Sequence, residues 1–261
     1  MAGVNLRYFF HCAYQGGNYH GWQRQPDVLG VQQVVEEALS KVLKQRIICL
    51  GCGRTDTGVH ARQYFFHIDT TAYLPEDLPF ILNKILPEDI AIFDILPVPK
   101  THHAQFGAST RTYDYFIHQR KDPFLQAISA QYSCQDWDLI AMRQALAMVP
   151  RYQDFRAFCK TPDRHDSTLC DVHDVQLFSY DQGKKLQLQF TAKGFLKGMI
   201  RLLVGSLIAV GNGKLSLTAW EESLATGARP TSFSSAYPQG LYLSQINYPF
   251  LDIPPKGHFP F

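Results

Sequence analysis

Apolar and polar residues alternate at the start of the chain. Val4, Leu6, Tyr8, Phe10, Cys12 and Tyr14 fall on one side, and Asn5, Arg7, Phe9, His11 and Ala13 on the other. A period of two is that of a β-strand, here with one strongly apolar face. After a turn at Gln15-Gly16-Gly17-Asn18 the period lengthens. Val31, Val34, Val35, Ala38, Leu39, Val42 and Leu43 follow the i, i+3, i+4, i+7 series of an amphipathic helix over residues 31–44. A short strand at 47–50, a glycine-rich loop, an extended segment around 63–69, a helix near 77–86 and a strand at 90–95 complete a first α+β half.

The second half opens with an extended segment at 113–119, then a helix from Asp136 or Asp138 to Val149 with an aspartate as its N-terminal cap. Residues 172–180 and 185–192 predict a hairpin around Asp181-Gln182-Gly183. A helix follows from about Leu196 to Val210, closed by Gly211-Asn212-Gly213, then a short helix at 219–226 and a last strand at 240–248. Each half mixes a few strands with two helices, which predicts an antiparallel or mixed sheet with helices on one side. The boundaries expected are 1–104 for an N-terminal α+β subdomain and 105–248 for a C-terminal one. Residues 249–261 carry four prolines and predict an extended tail outside either core. No internal repeat is visible.

Composition narrows the class without deciding it. With 261 residues, 46% hydrophobic and 13% aromatic, the chain can bury one large core or two small fused ones. The first residues run straight into the strand pattern, so no export leader is expected. The most apolar stretch, 199–210, is broken by Arg201 and falls short of the roughly 20 residues a membrane span needs. A soluble, cytoplasmic protein is therefore expected. A formal charge of +2 neither demands nor excludes a polyanionic partner, so any RNA site must be a local patch. Candidates for one are Lys100, Arg111, Arg120, Lys121, Arg151, Arg156, Lys160, Arg164, Lys193, Lys197 and Arg201, if folding gathers them. Six cysteines without an export signal point to reduced thiols. Cys49 and Cys52 have CxxC spacing, and Cys170 and His173 form a conceivable second pair of zinc ligands. However, Cys49 ends an apolar run and no second CxxC exists, so no metal is expected.

The most informative stretch is Gly51-Cys-Gly-Arg-Thr-Asp-Thr-Gly-Val-His-Ala61, which sets Arg54, Asp56 and His60 in a glycine-bounded turn. As a phosphate cradle it fails, because Val59-His60 follows Gly58 where Lys and Ser/Thr are required. As a metal site it offers two ligands, Asp56 and His60, without a third. The plain structural alternative is a turn in which Thr55 and Asp56 hydrogen-bond the backbone. A second clue is Arg201, a lone charge in the run from Gly198 to Val210. Burying an unpaired guanidinium costs several kcal/mol, so Arg201 needs a carboxylate such as Asp56, or must reach water along its own stem.

Tyr19-His-Gly-Trp-Gln-Arg-Gln25, Gly53-Arg-Thr-Asp-Thr-Gly-Val-His-Ala61, His103-Ala-Gln-Phe-Gly-Ala108, Arg111-Thr-Tyr-Asp-Tyr115, the stretch 195–205 and Gly240-Leu-Tyr-Leu243 together resemble the TruA-type tRNA pseudouridine synthases. The resemblance runs in order from about Leu6 to Tyr248. It implies two fused RRM-like (ferredoxin-like) α+β subdomains with mostly antiparallel sheets and a catalytic cleft between them. It also implies a homodimer that isomerises uridines at positions 38–40 of the tRNA anticodon arm, with neither cofactor nor metal. By the same resemblance Asp56 is the catalytic carboxylate, as nucleophile or base, and Arg201 pairs with and orients it. Arg54 intrudes beside the flipped nucleotide, Tyr113 stacks on the target base, and Leu243 lines the pocket.

The chemistry is compatible with that assignment. Uridine must lose its N1–C1′ bond and rebond through C5, for which one carboxylate suffices. Asp56 would attack C1′ or C6, or remove the C2′ proton to give a glycal. A stacked, paired base is out of reach, so the nucleotide must be flipped, with Tyr113 on its face and Arg54 in the gap. The alternative for Tyr113 is a core position, since it alternates with Tyr115 on a strand. His60 is either structural or an RNA contact. Three positions depart from the family pattern: Gln15 and Gln105 stand where aspartate and arginine are usual, and Thr57 where alanine is. Two competing functions remain: synthase activity on another RNA, which the Gln105 change keeps open, and a non-catalytic RNA-binding or chaperone role.

Overall fold

The computed structural model describes residues 6–133, 136–230, 232 and 234–261. In chain order the elements are β1 (Leu6–Tyr14), α1 (Val31–Leu43), β2 (Leu50–Gly51), β3 (His60–Thr70), α2 (Leu78–Ile85), β4 (Ile90–Val98), β5 (Thr110–His118), β6 (Ala130–Gln131), α3 (Leu139–Met148), β7 (Val172–Tyr180), β8 (Lys185–Ala192), α4 (Met199–Gly211), α5 (Leu217–Thr226) and β9 (Leu241–Asn247). Val4 and Asn5, which begin the first alternating pattern, lie outside the described residues. The chain divides into two compact units. Unit 1 comprises Met1–Ser109 and Tyr242–Phe259 with Phe261, and unit 2 comprises Thr110–Leu241 with Pro260. The expected boundary at 104/105 thus falls five residues early. The last strand and most of the tail, expected with or beyond the second half, group with the first.

In unit 1, β1 lies between β3 and β4 and is antiparallel to both. β2 pairs antiparallel to β3 at Phe66 and His67, and β9 runs parallel to its beginning, setting His60 opposite Tyr242 and Ala61 opposite Leu243. The helix α1 buries Val31, Val35 and Leu39, as the 3.6-residue period requires, and closes with Lys44 in the left-handed conformation. The strand expected at 47–50 is reduced to Leu50–Gly51 because the backbone ahead of it bonds to helix side chains instead. Cys49 N–H donates to Glu36 Oε1 (3.0 Å), Gln32 Nε2 donates to Cys49 O (2.9 Å), and Ile47 N–H donates to Ser40 Oγ (2.9 Å).

One feature of β1 differs from the expected single apolar face: both faces are buried. Phe10, Cys12, Tyr64 and Phe66 fill one side. Phe9, His11, Phe65 and His67 are equally buried on the other, where Tyr248 lies edge-on to Phe9 and Phe65 and Phe250 edge-on to Phe9, at 5.3–5.8 Å between ring centres. The tail is extended, as its prolines require, yet it is fastened to unit 1. Gln63 Nε2 donates to Ile253 O (2.9 Å), Arg62 Nε donates to Gly257 O (2.7 Å), and Lys256 pairs with Asp94 (2.7 Å).

In unit 2, β8 is antiparallel to β5 and β7, and β6 joins β5 in parallel at two positions. The hairpin β7–β8 falls at the predicted residues. Of the two candidate caps, Asp138 opens α3, its Oδ1 accepting from Ala141 N–H (2.8 Å). α4 begins three residues later than expected because Gly198 sits at φ +73°, outside the helix. Trp220 on α5 donates its indole N–H to Ala145 O on α3 (2.9 Å). No described helix is long and apolar enough to cross a membrane.

Candidate active site

The loop carrying Asp56 in unit 1 is fixed from both ends and from one side. Cys52 N–H donates to Phe65 O (2.8 Å) and Tyr64 Oη to Gly53 O (2.5 Å), which ties its start to β3. Its middle leans on the turn that follows β1. Trp22 N–H donates to Thr55 Oγ1 (3.1 Å), Tyr14 Oη lies 2.9 Å from the same oxygen, and Gly58 N–H donates to Tyr19 O (3.2 Å). Gly21, at φ +79°, has room only for hydrogen: a Cβ there would lie 2.1 Å from Thr55 O. The supporting turn is anchored in its own right. Gln15 N–H donates to Asp89 O (2.9 Å), while Asn18 Nδ2 (2.9 Å) and Tyr19 Oη (2.5 Å) donate to its carboxylate. Burial and the facing Asp89 hold the Tyr19 phenol protonated well above its usual range.

Within this frame Asp56 is half-buried and Arg54 exposed. Thr55 Oγ1 accepts from a backbone N–H, and the Asp56 backbone carbonyl closes the turn by accepting from Val59 N–H (3.1 Å). His60 is buried, its Nδ1 accepts from Gly16 N–H (3.0 Å), and its ring stacks on Tyr242 at 4.6 Å. Leu243, on β9 opposite Ala61, is 1% exposed. Cys49 and Cys52 are both buried, and burial raises the Cys49 thiol well above its usual range, towards the neutral form. Among the described residues no three His, Cys, Asp or Glu side chains come together as a metal-binding group.

Unit 2 carries Tyr113 and Arg201. Every residue of α4 except Arg201 is buried, and Arg201 is half-buried. Its Nε donates to Ala236 O (2.7 Å) and its own carbonyl accepts from Ala236 N–H (2.9 Å), so the segment around Ala236 is tied to the helix on both counts. One turn on, Gly205 lets that segment approach: a Cβ there would lie 1.9 Å from Ser234 O. Tyr115 Oη donates to Tyr237 O (2.8 Å), and Tyr237 N–H to Tyr132 Oη (3.0 Å). Burial raises the Tyr115 phenol well above its usual range, with the Arg201 charge acting the other way. Tyr113 shares its face of β5 with Tyr115 and stands half-buried, edge-on to Phe195 at 5.2 Å. Two pairs of the scattered cations adjoin one another in this unit. Arg111 Nη1 donates to Lys193 O (2.7 Å), and Lys160 N–H donates to Lys197 O (3.0 Å).

The structure sets Arg54 and Asp56 on one loop, with His60 at the start of the strand that follows and Leu243 opposite Ala61 beside it, and places Tyr113 and Arg201 in the other unit. The cradle of Tyr14, Gly21 and Trp22 behind Thr55 was missed, although its residues sit in or next to a recognised motif. The signal was the glycine between His20 and Trp22; the Asp89 anchor has no local signal. The three departures, Gln15, Thr57 and Gln105, are all exposed.

A family described as tRNA pseudouridine synthase matches residues 12–107 and 152–249. The chain is 37% identical over 246 residues to tRNA pseudouridine synthase A of Porphyromonas gingivalis, covering 93% of this chain and 97% of that protein. It is 36% identical over 252 residues to the protein of that name from Gloeobacter violaceus (95% and 82%). The protein of that name from Ruminiclostridium cellulolyticum is 34% identical over 239 residues (90% and 96%). The chain belongs to the tRNA pseudouridine synthase family, isomerases that convert uridine to pseudouridine.

Proposed function

We propose that this chain isomerises uridines at positions 38–40 of the tRNA anticodon arm, with the Asp56 carboxylate as the reacting group. The observation that carries the reading is the Asp56 loop itself: a half-buried carboxylate on a turn whose neighbours are held by backbone and hydroxyl contacts. Such fixing keeps a reacting group in line without reorganisation at the moment of reaction. In the reaction the N1–C1′ bond breaks, C1′ rebonds to C5, the C5 proton is lost and N1 gains one. Asp56 attacks C1′ or C6, or takes the C2′ proton. Arg201 is assigned to pair with Asp56 and aim it, Arg54 to fill the gap left by the flipped nucleotide, Tyr113 to stack on its base, and Leu243 to line the base pocket. These roles rest on the family resemblance. The RRM-like reading of unit 1 draws support from its strand order β4–β1–β3–β2 with a helix after β1 and after β3. A cytoplasmic homodimer follows from the resemblance alone.

The test is tritium release from tRNA labelled at C5 of uridine, without added metal or cofactor. Asp56→Ala should release none while tRNA binding persists. Turnover by Asp56→Ala at the wild-type rate sinks the reading.

A further inference from the structure

We infer that the Thr55 hydroxyl is the positioning group for Asp56. This rests on the reading of Asp56 as the reacting carboxylate. Thr55 Oγ1 meets two independent elements: Tyr14 Oη at the end of β1 (2.9 Å) and Trp22 N–H in the turn beyond it (3.1 Å). All three residues are buried, with Thr55 9% exposed, Tyr14 4% and Trp22 1%. Contacts of this kind in a water-poor setting are held firmly, because breaking one leaves a polar group without a partner. A threonine is also stiff about its first side-chain bond, so fixing its oxygen fixes its backbone. The other side of the same residue is closed off: the Thr55 carbonyl faces the hydrogen of Gly21, where a Cβ would come within 2.1 Å. The peptide leading into Asp56 is therefore held by the hydroxyl on one side and by a wall on the other. Two residues on, Gly58 N–H bonded to Tyr19 O (3.2 Å) holds the exit of the turn to the same support. That support is pinned to Asp89. Asp56 thus sits between two clamped points, and Thr55 is the clamp adjacent to it.

The experiment compares Thr55→Val, which keeps the shape and removes the hydroxyl, with Thr55→Ser, which keeps the hydroxyl, alongside Asp56→Ala. Single-turnover tritium release from C5-labelled tRNA, tRNA affinity by filter binding and thermal unfolding are measured on the full chain. Thr55→Val should lose about 100-fold in the rate of chemistry, the scale of an ångström-size misplacement. Its tRNA affinity should stay within about twofold, since binding does not call on that oxygen. Thr55→Ser should recover most of the rate. Wild-type chemistry in Thr55→Val, or equal losses in the valine and serine variants, overturns the proposal while an inactive Asp56→Ala leaves the reading of Asp56 standing. An active Asp56→Ala overturns that reading and the proposal with it. Should Thr55→Val not fold, Tyr14→Phe carries the test. It removes one partner of the same oxygen and should slow chemistry about tenfold at unchanged affinity; wild-type chemistry there overturns the proposal.

Discussion

The Asp56 loop of unit 1 and the Arg201 helix of unit 2 share one device and otherwise differ. In each, a backbone carbonyl lies against a glycine: Thr55 O against Gly21, and Ser234 O against Gly205. The loop is held by separate polar contacts, each worth about 1 kcal/mol net. The helix is held by burial of every residue but Arg201, at roughly 25 cal/mol per Å² of apolar surface. Damage to the loop should therefore appear in the rate of reaction, and damage to the helix in folding.

Two glycine substitutions test that contrast most severely. Gly205→Val should cost about 3 kcal/mol or more, because nothing but backbone stands where its side chain must go. A collapsed melting transition would report it. Gly21→Ala adds a single methyl against the Thr55 carbonyl, besides about 1–2 kcal/mol for the left-handed backbone, and the displaced carbonyl should show chiefly as a loss of about 100-fold in single-turnover rate. If the alanine variant lost stability and rate in parallel, the contrast would fail. Between these lies Arg201→Met, which fills a similar volume and gives up the Nε bond to Ala236 O. Tritium release should fall by about 100-fold if the cation serves the carboxylate, with a melting shift smaller than that of Gly205→Val.

The same contrast explains what was legible in the sequence. α4 was foreseen because twelve apolar or small residues around one arginine carry their signal locally, and α1 because Val31, Val35 and Leu39 repeat at helical spacing. The hairpin β7–β8 was equally local. The reduced strand at 50–51 was not foreseen, since its cause lies in Gln32 and Glu36 reaching from α1. Nor was the second buried face of β1, covered by Tyr248 and Phe250 more than two hundred residues away in the chain. Of the candidate site, the residues with unusual chemistry, Asp56, Arg54 and Arg201, stood out. Thr55 did not, because a buried hydroxyl acquires meaning only from the partners that folding brings to it.

A smaller effect should come from the cations of unit 2. Replacing Lys160, Lys193 and Lys197 by alanine should weaken tRNA binding and lessen its dependence on salt by about one unit of log–log slope for each lost phosphate contact. The rate of bound tRNA should be unaffected. A binding curve with unchanged salt slope would separate these lysines from the RNA.

The finest distinction between the units concerns acid. In unit 1 His67 is buried, its Nε2 has no partner, and its Nδ1 accepts from Ala104 N–H (3.3 Å). Burial, with the charges of Arg7 and His103, lowers it from 6.5 to about 4. His11 and His103 in the same unit are lowered as well, each chiefly by burial; in unit 2 His118 is. Between pH 6.5 and about 4 the unfolded chain takes up a proton at position 67 that the folded chain refuses. The stability from this group is complete above pH 6.5, falls as the pH drops through that window, and changes no further below it. Hydrogen exchange at pH 5 should therefore show amides of β1 and β3 losing protection before those of β5 and β8. His67→Gln, which keeps an acceptor for Ala104 and cannot take the charge, should flatten the pH dependence of melting. Simultaneous loss of protection in both units would mean that the acid response is not seated in the histidines of the first, and that the two units unfold as one.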